Sequence, residues 1–301
     1  MSNTPSTNSS FTHEDVINML SAIHGLVDGM ASIYNQYNNE PAPNSPAQQE
    51  QMSFPEPELV KGVYYSGMLS MESAGDHLMV FADSLAEPAK TVAPWTCARG
   101  LLESCALATW FLDPSIDARV RVGRHFAFRY TEFVQQIKFF QVEKLQPEIV
   151  KAQQRMKKVE QDAISIGYPR LLNKSGGVNG IAQHMPNITE LIGTTLNQEA
   201  AYRMLSAVAH GHHWAIQQIG FRVVEVRTPE GHDIKALEKC IHPNFILYVA
   251  NIAVTSFAKV IWYLWRLFGW ELKEIENLLD MAYDQLHYRR ELRFWHSTVN
   301  T

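Results

Sequence analysis

Residues 245–270 constrain this chain more than any other segment. They are rich in Phe, Ile, Leu, Val, Trp and Tyr, and as a helix they are long enough to cross a bilayer. Asn251, Thr255, Ser256, Lys259 and Arg266 interrupt the run, and Lys259 would sit deep in the hydrocarbon. A charge at that depth costs about 2.5–3.5 kcal/mol. A central helix walled in by other helices gives the same pattern without that cost. The expectation is therefore an interior bundle helix, not a membrane span.

The rest of the chain can supply the walls. Of 301 residues, 46% are hydrophobic and 19% charged, enough for a core and too apolar for wholesale disorder. Residues 1–11 are Ser, Thr, Asn and Pro with almost nothing apolar, and read as a disordered tail. Residues 12–37 read as an amphipathic helix in which Val16, Leu20, Ile23, Val27, Met30, Tyr34 and Tyr37 recur at alternating steps of four and three. That is a heptad seam, expected to dock on the chain's own core or on a protein partner. Residues 38–58 hold Pro41, Pro43, Pro46, Pro55 and Pro57 among Gln, Asn and Glu, and read as an extended or mobile linker.

From 59 to 294 the pattern is that of one helical bundle domain. Asp113-Pro114 supplies an N-cap and a proline to open a helix reaching about residue 144, and Pro147 opens a charged helix to about 166. Residues 167–188 read as a loop. Asn197 is expected to cap a continuous helix to about 219. Alternation from 221 to 227 followed by Thr228-Pro229-Glu230-Gly231 predicts a β-hairpin. Gly269 ends the apolar helix, and a last helix is expected over 271–293. The fold class is all-α: a multi-helix bundle with one small β-hairpin near 221–235.

Charge and motifs narrow the chemistry. Lys and Arg total 26 against 31 Asp and Glu, a net charge of −5, so a polyanion must be held by a local patch. Arg119, Arg121, Arg124 and Arg129 are the candidates for such a patch, although the first three read equally as an ordinary exposed face. Cys97, Cys105 and Cys240 are too few for a disulfide framework or a four-thiolate zinc site. Cys97 and Cys105 read as buried thiols. The first thirty residues show no basic region followed by an apolar stretch, so a reducing cytoplasm is the expected compartment. Dinucleotide, P-loop, nucleophile-elbow and H-E-x-x-H motifs do not occur in the sequence. His210 and His213 stand three apart, but two imidazoles do not make a metal site, so no metal and no cofactor are expected.

Two stretches concentrate polar residues on apolar helices. In the first, Arg99 and Glu103 stand four apart among Leu, Cys and Ala. In the second, Tyr202-Arg203-Met204-Leu205-Ser206 leads to His210-Gly211, and Arg203 and His210 share a helix face two turns apart. Asp76-His77, inside another apolar helix, is a third polar point able to meet them.

Arg203 to His210 matches R-x(4–6)-H and so resembles the signature of the HEPN superfamily, all-α proteins that include ribonucleases of toxin–antitoxin, CRISPR and abortive-infection systems. Four other Arg–His pairs fit the spacing: Arg119–His125, Arg227–His232, Arg289–His296 and Arg290–His296. Only the Arg203 pair combines a helix interior with a shared face. It departs from the family at Met204, where a polar residue is favoured, and uses the longest spacing. More loosely, residues 59–290 resemble uncharacterised bacterial helical proteins that pair an R-x-x-x-E helix with a Y-R-x-L-S-x-x-x-H-G helix.

The HEPN resemblance implies metal-independent RNA cleavage by a homodimer whose two motifs meet across the interface. Arg203 would brace the phosphate and His210 would move the proton, with Tyr202 and Ser206 as supporting donors. The alternative is a non-catalytic interaction or scaffold module. There Arg99, Glu103, Asp76 and Arg203 form a buried ion-pair network that fixes helix register, with His210 and His77 as satisfied core histidines. The two readings part on whether Arg203 and His210 are open to solvent.

Overall fold

A computed structural model describes residues 13–86, 88–229, 231–239 and 243–286. The expected tail at 1–11, Cys240 and the Arg289, Arg290 and His296 pairs lie outside the described residues. Among those described, eleven helices and two two-stranded antiparallel sheets make up the chain, an all-α bundle with small hairpins attached.

The N-terminal helix α1 (His13–Asn35) buries Met19, Ile23, Leu26, Met30 and Tyr34. Its apolar seam docks on the chain's own core, against the helices introduced below as α3, α10 and α11. The expected linker is not one. Pro46–Ser53 forms α2, with Pro46 in its first turn and the Ser45 side chain accepting a hydrogen bond from the Gln48 N–H at 3.2 Å. Ala47 is fully buried. Ahead of it, the Ala42 N–H donates to the Phe268 carbonyl at 2.8 Å, and the Trp270 indole donates to the Glu40 carbonyl at 2.8 Å. The segment is a strap laid across the bundle. Its prolines help to order it, Pro43 at a turn and Pro46 and Pro57 at helix starts.

Helix α3 (Pro57–Leu85) and helix α4 (Ala93–Leu112) form the central pair. Around α4 lie α5 (Ala118–Val142), α7 (Ile188–Leu196), α8 (Glu199–Ala209) and α10 (Pro243–Phe268). Trp95, Leu101, Leu102, Cys105 and Phe111 of α4 are buried, together with Phe257, Leu264 and Trp265 of α10. At full burial, side chains of this size contribute about 1.5–3 kcal/mol each. Burial pushes the Cys105 thiol well above its ordinary pKa, which leaves it unreactive.

Several boundaries differ from the sequence expectation. Asp113 does not open α5; its carboxylate accepts from the Ser115 N–H and hydroxyl in a local turn. The cap is Asp117, which accepts from the Val120 N–H at 2.7 Å. Helix α6 (Gln146–Ser165) packs on α5 and leads to an antiparallel pair, β1 (Arg170–Leu172) with β2 (Val178–Ile181), where a loop was expected. Ile181, fully buried, anchors that pair. Asn197 adopts the left-handed conformation (φ 56°) and ends α7 instead of starting α8. The continuous helix expected to 219 breaks after Ala209, and α9 (His213–Gly220) starts anew. The break is a Schellman cap: the Gly211 N–H bonds Val208 O, the His212 N–H bonds Ala207 O, and Gly211 supplies the positive φ of 73°.

The expected hairpin is present as β3 (Phe221–Arg227) and β4 (Asp233–Lys239), paired from Phe221↔Lys239 to Arg227↔Asp233. The last described helix, α11 (Leu272–Gln285), packs on α1, and the remainder of the helix expected to 293 falls outside the described residues. Two helical stretches, Glu14–Asn35 and Asn244–Phe268, are long and apolar enough to cross a membrane. Within the second, 67% of the apolar window is buried inside the bundle.

Candidate functional site

The sequence-nominated residues divide into two groups. The first is a compact triad between α4 and α8. An Arg99 Nη2 N–H lies 2.9 Å from Glu103 Oε1, and the Tyr202 hydroxyl donates to the same oxygen at 2.9 Å. The Arg99 guanidinium lies over the Tyr202 ring, 5.8 Å from its centroid. The i, i+4 spacing on α4 and burial of the Tyr202 ring on α8 bring the three together. Burial works against the Arg99 charge, but Tyr202 and Glu103 outweigh it and hold the guanidinium above its ordinary pKa. Among the described residues, Arg99 Nε is buried without a partner.

The second group faces solvent. Arg203, on the opposite side of α8 from the core, is 67% exposed and bonds Glu199 Oε1 through Nε at 2.9 Å and Nη2 at 2.8 Å. His210 is exposed at the Schellman cap. Arg203, Ser206 and His210 nevertheless line one hollow of about 240 Å³, closed by Tyr202, Thr189, Ala207, His212 and Trp214. Arg203 and Thr189 also line a neighbouring polar hollow of about 340 Å³, with Asn187, Glu190, Thr194, Asn197 and Glu199. The two hollows share Arg203 and Thr189 as lining.

The proposed four-member buried network is therefore corrected. Arg203 lies outside it because it points to water and pairs with Glu199. Asp76 is exposed and forms no ion pair among the described residues. His77 is half-buried against α4, where a methyl group on Gly100 would come within 2.7 Å of its ring. His210 is not a core histidine.

The basic patch is corrected in part: Arg119 and Arg129 are exposed, whereas Arg121 and Arg124 are turned inward. Arg121 is wholly buried, and its guanidinium bonds the carbonyls of Phe111, Asp113 and Ile116 and the Glu50 carboxylate. Arg124 donates to the Trp110 carbonyl at 2.6 Å and covers its ring. Arg119 caps the Gly167 carbonyl at 3.1 Å over the Tyr168 ring, and Arg129 lies over Phe133. These cations hold helix ends and aromatic faces.

Sequence reasoning missed Thr189, His212 and Trp214 in the groove. The signal for the last two was present, since a glycine inside the run His210-Gly211-His212-His213-Trp214 can break a helix and turn the next side chains outward. Among the described residues no group of three or more His, Cys, Asp or Glu side chains is placed to hold a metal ion. Compared with known proteins, the chain matches no family model, no curated protein and no solved structure.

Proposed function

We propose that the chain is a HEPN-like, metal-independent endoribonuclease whose reacting groups are Arg203 and His210. One observation carries this reading: both side chains, with Ser206 between them, line a single solvent-open groove. His210 takes the proton from a ribose 2′-hydroxyl, and the resulting oxygen attacks the adjacent phosphorus. The bond from phosphorus to the 5′-oxygen breaks, and that oxygen receives a proton from imidazolium. The products are a 2′,3′-cyclic phosphate and a 5′-hydroxyl. Arg203 donates to the non-bridging oxygens as their charge grows, in competition with the Glu199 carboxylate that pairs with its Nε and Nη2 in the free chain. The resemblance implies a homodimer, with base and acid supplied by two copies of the motif. It also implies a setting in bacterial defence or growth control, and the reading expects the cytoplasm.

A second reading, a non-catalytic interaction module, is favoured by the Glu199 carboxylate, which already neutralises Arg203. The two separate on purified wild type, Arg203→Ala and His210→Ala, each incubated with single-stranded RNA in the presence of EDTA. The nuclease reading expects cyclic-phosphate ends from wild type and a loss of about 10²–10⁴-fold in both variants. Both side chains are exposed, so circular dichroism and melting should stay at wild-type values. Absence of cleavage by wild type, or undiminished cleavage by His210→Ala, leaves the interaction module.

A further inference from the structure

Lys259, the charge that argues against a membrane span, opens onto a hollow of about 560 Å³ between α10, the start of α8 and the turn after α4. The volume falls in the range of small-molecule pockets. Leu196, Pro114, Trp262 and Tyr263 supply most of its apolar wall. Helix α10 contributes Thr255, Ser256, Lys259 and Arg266, and Asp113, Ser115 and Gln198 complete the polar lining.

Two observations point to a ligand of defined charge. First, Ser256, only 3% exposed, nevertheless lines the hollow, which sets a hydroxyl at its otherwise apolar floor. Second, Lys259 is half-buried and its ammonium donates to the Thr195 carbonyl at 2.7 Å, with no carboxylate within ion-pair distance among the described residues. An ammonium has three donors; one meets Thr195 and the charge also lies over the Tyr263 ring, 5.3 Å from its centroid, which leaves donor capacity for an acceptor in the pocket. Arg266 at the rim adds a second cation, and Asp113, already engaged by Ser115, is the one carboxylate in the lining. Burial lowers the Lys259 pKa and Asp113 partly restores it, consistent with a charge short of counter-ions.

We propose that this pocket binds an amphipathic organic carboxylate. Its head group accepts from the Lys259 ammonium and the Ser256 hydroxyl, and its apolar body lies against Trp262, Tyr263, Leu196 and Pro114. The site is separate from the Arg203 groove and does not depend on the nuclease reading.

The test uses the full chain with the fluorescent anion 8-anilinonaphthalene-1-sulfonate, displaced by decanoate or by its neutral counterpart 1-decanol. In wild type, decanoate should compete about tenfold better than decanol at equal concentration. Lys259→Met keeps the apolar stem and should erase that preference, with circular dichroism at wild-type values. Lys259→Arg should retain it, and Arg203→Ala should not alter it. Equal competition by decanoate and decanol in wild type, or an undiminished preference in Lys259→Met, overturns the proposal. Should Lys259→Met fail to fold, the exposed Arg266→Gln must still weaken decanoate severalfold, and no change there overturns it equally.

Discussion

Arg121 and Glu50 stand 71 positions apart and meet in the interior, Nε of Arg121 2.9 Å from Oε2 of Glu50 and Nη2 3.1 Å from Oε1. The Tyr64 hydroxyl donates to Oε2 at 2.6 Å, and its ring faces the guanidinium at 5.7 Å. Removing the carboxylate strands a charge that is 0% exposed. Glu50→Ala should therefore cost about 3–5 kcal/mol in urea denaturation. Glu50→Gln, which keeps an acceptor, should cost less, and a loss under about 1 kcal/mol for Glu50→Ala would contradict the buried pairing.

His125 gives the fold an acid sensitivity. Burial, with the Arg129 charge beside it, lowers its pKa from 6.5 to about 4, and its ring bonds the Ser66 hydroxyl at 3.1 Å. The unfolded chain binds this proton more readily than the folded one, so stability is full above the unfolded value. It falls as the solution is acidified from about pH 6.5 to 4, by up to about 3 kcal/mol. The difference between wild type and His125→Gln, followed by denaturation across that window, isolates the contribution. A constant difference would show that the folded and unfolded chains bind this proton equally.

Tyr202→Phe removes one donor from Glu103 and should cost about 1 kcal/mol. Glu103→Ala takes the acceptor from both Tyr202 and Arg99. Because the Arg99 and Glu103 side chains are 26% and 32% exposed, water compensates in part, and about 1–2 kcal/mol is expected. A double-mutant cycle of Arg99→Met with Tyr202→Phe should show non-additivity, since both act through one oxygen.

Glu199→Gln separates structure from function at the groove. The exposed i, i+4 pair with Arg203 is worth about 0.3–0.5 kcal/mol, so melting should hardly change. For a nuclease, freeing the guanidinium should lower KM for RNA severalfold, and the effect should vanish in Arg203→Ala. An unaltered KM would show that Arg203 does not meet phosphate.

The bundle was legible because its signals are local. Helical spacing, the interruption of the apolar run by Lys259, and alternation from 221 to 227 all act within a few turns of chain. What escaped depended on distant partners or on ambiguous residues. Asn197 suits a helix start and a left-handed helix end alike, and the sequence does not say which neighbour it serves. Arg119, Arg121 and Arg124 resemble a solvated face because their acceptors are carbonyls at other helix ends and a glutamate 71 positions away. Of the nominated site, the Arg99–Glu103 pair followed from the i, i+4 spacing, whereas the third member was expected from Asp76 and Arg203 and is Tyr202. The outward turn of Arg203 followed from neither composition nor spacing, since both faces of α8 carry polar groups.

The strap has a consequence for how this chain can be cut. A proline-rich stretch invites removal of everything before residue 59 as dispensable. Here that excision would withdraw the counter-charge of Arg121, the acceptor for the Trp270 indole and the wall that α1 sets against α11. The N-terminal segment is thus a keystone fitted from outside, and trimming it should yield aggregation in place of a smaller folded domain.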